Sequence, residues 1–208
     1  MRVYEYGKAD ADKVLIQPVG KEELPFLNHE FALITRDMAE PLRLIAFEVE
    51  NWNFELSPWK APAVFGKEEF GDGAADTLAE IQKYCDDNSK TYYIGGYSLA
   101  GLFALWAAYH TDLFKGVAAV SPSIWFPDFL QYMKNNKIQS ANVYLSLGDK
   151  EEKTRNKIMA TVGERIREAY QTLKDDGVNG ILEWNAGNHF KDADIRTASG
   201  FIWLLEKS

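Results

Sequence analysis

The 208-residue chain predicts an α/β architecture, a mostly parallel central sheet with helices on both faces. Three observations lead there. Runs of β-branched and aromatic residues alternate with helical spacing from end to end, which calls for right-handed crossovers between parallel strands. Leu42–Val49 is a near-continuous apolar run, as expected of a strand buried on both faces. The stretch carrying Leu99, Leu102, Phe103, Leu105, Trp106 and Tyr109 is apolar on almost every helical face, which suits a central helix packed against a sheet.

Taken in order, Arg2–Tyr6 reads as an edge strand and Asp12–Gln17 as a second strand, stopped by Pro18. Glu22–Met38 has helical spacing through Leu24, Leu27, Phe31 and Ile34, and Pro41 breaks it. After the strand Leu42–Val49 comes an irregular aromatic segment, Glu50–Phe70, then helical spacing over Gly71–Asp87. The strand Tyr92–Tyr97 leads into the apolar helix, and Phe114–Val120 is another strand. A short helix through Phe129–Met133 precedes the strand Ala141–Leu147. Thr154–Lys174 carries an amphipathic stripe at Ile158, Val162, Ile166, Ala169, Tyr170 and Leu173, ended by Gly177. Gly180–Asn185 is the last strand, and a helix through Ile195, Ala198, Ile202 and Leu205 closes the chain. No repeat, linker or low-complexity segment divides it, so residues 1–208 read as one domain.

Composition narrows the function. With 46% hydrophobic and 26% charged residues the chain is globular rather than disordered. A net charge of −8 without a basic cluster argues against nucleic acid as a partner. The lone Cys85 cannot form an intramolecular disulfide and fits a reducing compartment. The N-terminus does not resemble a signal peptide, and no apolar run is long enough for a bilayer. A cytoplasmic protein with no membrane partner is expected. One cysteine and no His-Glu-x-x-His motif leave no metal site in view, and no cofactor is called for.

Open α/β sheets carry their chemistry beyond the carboxyl ends of the strands, and three post-strand turns hold the right groups. Gly96-Tyr97-Ser98-Leu99-Ala100-Gly101 gives a strand, a serine among small residues, and a helix. That is the pattern of a nucleophile elbow, in which small neighbours let strand and helix approach closely. The same pattern also suits an ordinary βα turn whose serine caps the helix. An acidic run, Asp149, Glu151 and Glu152, follows a later strand, and His189 follows the last. Serine, acid, histidine is the chain order of α/β-hydrolases. A serine hydroxyl needs a base to take its proton, and the imidazole needs a carboxylate to orient it. His29, in a helical pattern, and His110, at a helix end, read as structural or solvated.

These residues resemble the Putative esterase branch of the α/β-hydrolases, which includes enterochelin esterases and S-formylglutathione hydrolases. The resemblance rests on Gly96–Leu102, Ser121-Pro122-Ser123-Ile124-Trp125, Gly148-Asp149-Lys150-Glu151 and Gly187-Asn188-His189, from about residue 90 to the C-terminus. It implies a serine nucleophile at Ser98, a base at His189, and an acid at Glu151 with Asp149 second. Two positions depart from the family pattern. Ala100 stands where glycine is commoner, and Gln17-Pro18-Val19-Gly20 replaces a His-Gly pair at the oxyanion-hole strand. Leu99 N–H is one expected oxyanion donor. Pro18 has no N–H, so Val19 is expected as the second, with Gly20 as the alternative.

The expected function is a small, cap-free serine hydrolase cleaving a carboxylic ester of a small molecule. Trp52, Trp125 and Phe190 are candidates for the substrate wall. A thioesterase or acyltransferase using the same three residues is the first rival, and a non-catalytic binding protein on a hydrolase fold the second.

Overall fold

A computed structural model describes residues 1–207. Seven strands form one sheet: β1 (Arg2–Gly7), β2 (Lys13–Val19), β3 (Leu42–Glu48), β4 (Thr91–Tyr97), β5 (Phe114–Val120), β6 (Asn142–Gly148) and β7 (Asn179–Asn185). Their order is β1-β3-β2-β4-β5-β6-β7. Only β1 is antiparallel to its neighbour, so the sheet is parallel from β3 onward. Helices α1 (Leu27–Thr35), α2 (Trp52–Glu55), α3 (Ala74–Gln82), α4 (Leu99–His110), α5 (Phe129–Asn135), α6 (Val162–Asp175) and α7 (Ala193–Glu206) connect the strands. Between β5 and β6 the chain spends only α5 and its flanking turns, so no cap stands over the strand ends.

Two apolar layers hold the sheet. One face packs against α3, α4, α5 and α6 through Leu78, Phe103, Phe129 and Ile166; the other packs against α1 and α7 through Leu27, Ile34, Phe201 and Leu204. Leu99–Tyr109 of α4 are buried without interruption. Full burial of a Leu or Phe side chain contributes about 1.5–3 kcal/mol, so α4 is a main source of core energy rather than a surface helix.

Several boundaries differ from the sequence reading, such as α3 at Ala74–Gln82 rather than Gly71–Asp87, and three of them have a clear local reason. β2 runs through Pro18 to Val19. Val49 N–H donates to Val19 O (2.9 Å), so Val19 faces β3 and Pro18, one residue earlier, faces β4. There the pairing has already ended at Ile16–Ile94, and a missing N–H costs nothing. The helix expected from Glu22 begins as a 3-10 turn, Leu24–Phe26, with Pro25 at its start, and becomes α-helical only at Leu27. α6 begins at Val162 rather than Thr154. Asn156 Oδ1 accepts the N–H groups of Ile158 and Met159 while its Nδ2 donates to Val64 O, tying this segment to the 64 loop. Ile158, on the expected stripe, is exposed.

At the β4–α4 turn the glycines are steric requirements. A Cβ on Gly101 would stand 2.8 Å from Gly96 O and 3.1 Å from Val120 O, both backbone atoms that cannot step aside. Ala100 is tolerated because Gly96, which it faces, has no Cβ. Gly101→Ala should cost about 1–3 kcal/mol, the usual range for overpacking. Thermal denaturation should show it as a Tm several degrees lower; an unchanged Tm would mean that strand and helix can separate freely.

Candidate active site

Ser98 lies between β4 and α4 with φ 57° and ψ −121°, a left-handed backbone conformation that non-glycine residues avoid. Its backbone is pinned on both sides: Ser98 N–H donates to Val120 O (3.0 Å), and Ser98 O accepts from Ser123 N and Leu102 N (3.0 and 3.1 Å). The strained geometry is thus held by β5 and the first turn of α4.

His189 sits in the turn after β7, whose Gly187 adopts φ +119°. Its Nε2 is 3.0 Å from Ser98 Oγ and its Nδ1 2.7 Å from Glu151 Oε2. A carboxylate can only accept, so the proton belongs on Nδ1, and Nε2 is left to accept from the Ser98 hydroxyl. Ser98, His189 and Glu151, separated by 91 and 38 positions along the chain, form one chain of hydrogen bonds.

Glu151 is nearly buried, and its second oxygen is fully engaged. Oε1 accepts from Ser121 Oγ (2.7 Å), Gly148 N (2.7 Å) and Arg196 Nη1 (3.3 Å). Arg196, 3% exposed, also donates to Tyr97 OH (3.0 Å) and Ala186 O (3.3 Å). The Tyr97 hydroxyl in turn donates to His189 O (2.9 Å). Tyr97 and Ser121 stand within the sequence motifs without a role of their own, and Arg196 carries no signal there. Arg196 meets Glu151 across 45 positions, and nothing local to a helix signals such a contact.

The other acids do different work. Asp149 is exposed; its Oδ1 accepts from Gly187 N (2.7 Å), while its own N–H donates to Asn185 O (2.8 Å). The Gly187 hydrogen bond holds its carboxyl below the ordinary carboxylate range. Asp149 therefore ties the β6 and β7 turns together. Glu152 pairs with Arg167 (3.6 Å). His29 pairs with Asp194, and His110 bonds the Tyr132 hydroxyl, both away from Ser98.

The oxyanion side corrects one expectation. In a parallel ladder a residue's N–H and C=O point to the same neighbour, and Val19 O takes the Val49 N–H. The Val19 N–H is therefore turned into β3 and does not face the serine. Continuing the Ile16–Ile94 register by four residues brings Gly20 level with Ser98, just where β2 and β4 stop pairing. Gly20 N–H is held by Glu23 Oε2 at 2.7 Å, while Glu23 N–H donates back to Gly20 O (3.0 Å). Leu99, the first residue of α4, has no intrahelical acceptor for its own N–H.

The three aromatic candidates separate. Phe190 is 90% exposed and stands between two hollows, one of about 230 Å³ shared with Trp125, Met159, Lys150 and His189, the other of about 290 Å³ shared with Glu23 and Asp194. Trp125, though buried, lines the first. Trp52 packs beside Gly20 and borders a wider cleft of about 1160 Å³ that touches neither Ser98 nor His189. Among the described residues no cluster of His, Cys, Asp or Glu is arranged to hold a metal ion, and no helix is long and apolar enough to cross a membrane. Burial pushes the Cys85 thiol up to about 12, which leaves it unreactive.

Sheet order, serine turn and post-strand histidine together define an α/β-hydrolase fold. Residues 74–190, more than half of the chain, match the Esterase family model, described as Putative esterase; the chain belongs to that family and is a carboxylic ester hydrolase. It is 24% identical to the uncharacterized protein YbbA of Bacillus subtilis (strain 168), over 80% of this chain and 74% of that one. An IroE-like serine hydrolase from Shewanella oneidensis has the same fold, with a TM-score of 0.76 at 14% identity over 94% of this chain and 71% of that one. So does the siderophore hydrolase EstA from Aspergillus nidulans, with a TM-score of 0.69 at 16% identity over 99% and 95%.

Burial is the chief cause that raises the Glu23 carboxyl from 4.5 to about 7; the Gly20 N–H opposes it, the Glu22 charge adds to it, and His189 opposes it. Burial also lifts Glu30 well above its ordinary value. Between pH 4.5 and about 7 folded Glu23 keeps a proton that the unfolded chain has released. Its contribution to stability therefore falls as pH rises through that window, and Glu30 acts in the same direction. Glu23→Gln should flatten the decline in urea midpoint between pH 5 and pH 7.5, and an unaltered slope would contradict this assignment.

Proposed function

We propose that the protein is a serine esterase in which Ser98 is the nucleophile, His189 the general base and acid, and Glu151 the residue that orients the imidazole. The observation that carries this reading is the unbroken hydrogen-bond path Ser98 Oγ–His189 Nε2 and His189 Nδ1–Glu151 Oε2. As Ser98 Oγ attacks the ester carbonyl, its proton passes to Nε2, and the developing imidazolium faces the Glu151 carboxylate. The carbonyl oxygen becomes an oxyanion beside the Leu99 N–H, at the positive end of α4. Gly20 N–H, level with Ser98, supplies the second donor once Glu23 yields it. Collapse of the tetrahedral intermediate breaks the C–O bond, His189 returns the proton to the leaving alcohol, and an acyl ester remains on Ser98. Water, deprotonated by His189, then repeats the sequence and releases the acid.

The substrate is a small ester. The hollow beside Trp125 and Met159 is about 230 Å³ and no cap extends it, so it suits a short acyl group. Each methylene left in water forgoes about 0.8 kcal/mol of binding. The acidic, spanless chain fits a soluble protein of the cytoplasm acting on a small molecule, not on nucleic acid or membrane.

Ser98→Ala should keep the fold and lower turnover by roughly 10⁴–10⁶, and a fluorophosphonate should label Ser98 in the wild type alone. Glu151→Gln should cost far more than Asp149→Asn. Full ester hydrolysis by Ser98→Ala would end this reading. Across p-nitrophenyl acetate, butyrate, octanoate and palmitate, kcat/KM should peak at the short chains. A maximum at palmitate would mean that the Glu50–Phe70 segment closes over the site.

A further inference from the structure

The hollow on the α7 side of Phe190 differs in character from its neighbour. Its volume is about 290 Å³. Four carboxyl groups line it, Glu23, Glu30, Asp192 and Asp194, together with the rings of Phe26 and Phe190, and neither lysine nor arginine does. Two of its lining residues are tied to the candidate active site: Phe190 follows His189 in the chain, and Glu23 holds the Gly20 N–H. We propose that this hollow is a subsite for an ammonium group carried by the ester substrate, with Phe26 and Phe190 as its walls and the carboxyl oxygens of Glu23 and Glu30 as its acceptors. The assignment rests on Ser98 being the nucleophile and names the class of substrate that it attacks.

Glu30 is the most telling group. It is 3% exposed, accepts from Gln17 Nε2 (3.3 Å) through Oε2, and has no partner for Oε1. A buried acceptor without a donor costs about 1–3 kcal/mol, and an N–H of a bound primary ammonium, or the polarised methyl C–H groups of a quaternary one, supplies that donor. Burial chiefly lifts the Glu30 carboxyl, the Gln17 hydrogen bond opposes it, and the Glu23 and Asp194 carboxyls, crowding the same space, lift it further. An anion entering here would meet four carboxyl groups, of which Asp194 already pairs with His29 (2.7 Å) and Asp192 with Lys191 (3.8 Å). A neutral alkyl group would leave the crowding unrelieved, whereas a cation offsets it.

The aromatic pair makes a second, independent case. Phe26 is 56% exposed and Phe190 90%, so two large rings stand in water on the rim of one acidic hollow. Aromatic faces attract cations through the ring quadrupole, and rings combined with acids are the chemistry by which organic ammonium groups are held. Glu23 links this hollow to the reaction. An ammonium that draws its carboxylate away from Gly20 frees the N–H facing the oxyanion, so a cationic substrate should gain in kcat as well as in KM.

Two isosteric pairs test the idea and separate the acyl from the alcohol side: ethyl 3-aminopropanoate against ethyl butyrate, and butyrylcholine against 3,3-dimethylbutyl butyrate. At least one cationic member should exceed its neutral partner in kcat/KM by tenfold or more. Glu30→Gln should bring that ratio toward one, and Phe190→Leu should reduce it by another route if Glu30→Gln folds poorly. Turnover of the neutral esters with both ratios at or below one overturns the ammonium subsite and leaves the serine mechanism standing. If no ester is cleaved and Ser98 resists the fluorophosphonate, the mechanism itself fails. Calorimetry with choline and 3,3-dimethylbutanol on wild-type protein and Glu30→Gln then still reads the hollow. Choline binding that weakens about tenfold in Glu30→Gln upholds the subsite; equal binding of the two alcohols, or none, removes it.

Discussion

A carboxylate taken out of water has to find donors, and Glu151 finds four. Ser121 comes from the end of β5, Gly148 from the end of β6, His189 from the turn after β7, and Arg196 from α7. Each belongs to a different segment, so one side chain gathers three strand ends and a helix around itself. Breaking a buried ion pair by removing one partner typically costs about 3–5 kcal/mol, because the other charge is left uncompensated. The position of His189 relative to Ser98 follows from this convergence. Tyr97 strengthens it, bonding both Arg196 and the His189 carbonyl from the residue beside the serine.

Around that centre the surface is divided by charge. On one side of Phe190 the hollow carries Lys150 and Lys153 with Trp125; on the other it carries four acids. The dividing residue is an exposed ring on the turn that positions His189, and it meets the imidazole edge to face with ring centres 5.5 Å apart. A protein with net charge −8 could have an acidic rim simply by composition. The buried, half-satisfied Glu30 is different, since composition does not place a carboxyl in the interior.

Much of this was legible in the residues. The alternation of strand and helix gave the sheet, and the unbroken apolar surface of α4 gave its central place, because burial on every face leaves no other option. Ser98, His189 and the acid cluster were readable because each stands just after a strand. The choice of Glu151 over Asp149 came from family resemblance and not from residue chemistry; in the fold only Glu151 reaches the imidazole, while Asp149 spans two turns. Val19 differs from the expectation because the direction of an N–H depends on ladder phase, which a one-dimensional pattern does not carry. Arg196 was invisible for a related reason: its partner is distant in sequence and its own helix would accept many residues there. The late start of α6 reflects side-chain competition, with Asn156 bonding nearby backbone that the periodic stripe assigned to a helix.

The all-round burial of α4 also bears on how the chain reaches this state. A helix without a polar face has no stable existence in water, and one of 12 residues is too short to persist alone. Its neighbour β4 pairs with β2, and the two strands are far apart in the chain, with Lys13 opposite Thr91. Contacts of such long sequence separation require closing large loops before they return energy, which slows folding. The backbone at Ser98 therefore takes its strained shape only once the non-local sheet is assembled. Partly folded chains expose the stickiest segment of the molecule at the stage when they have no reactive serine.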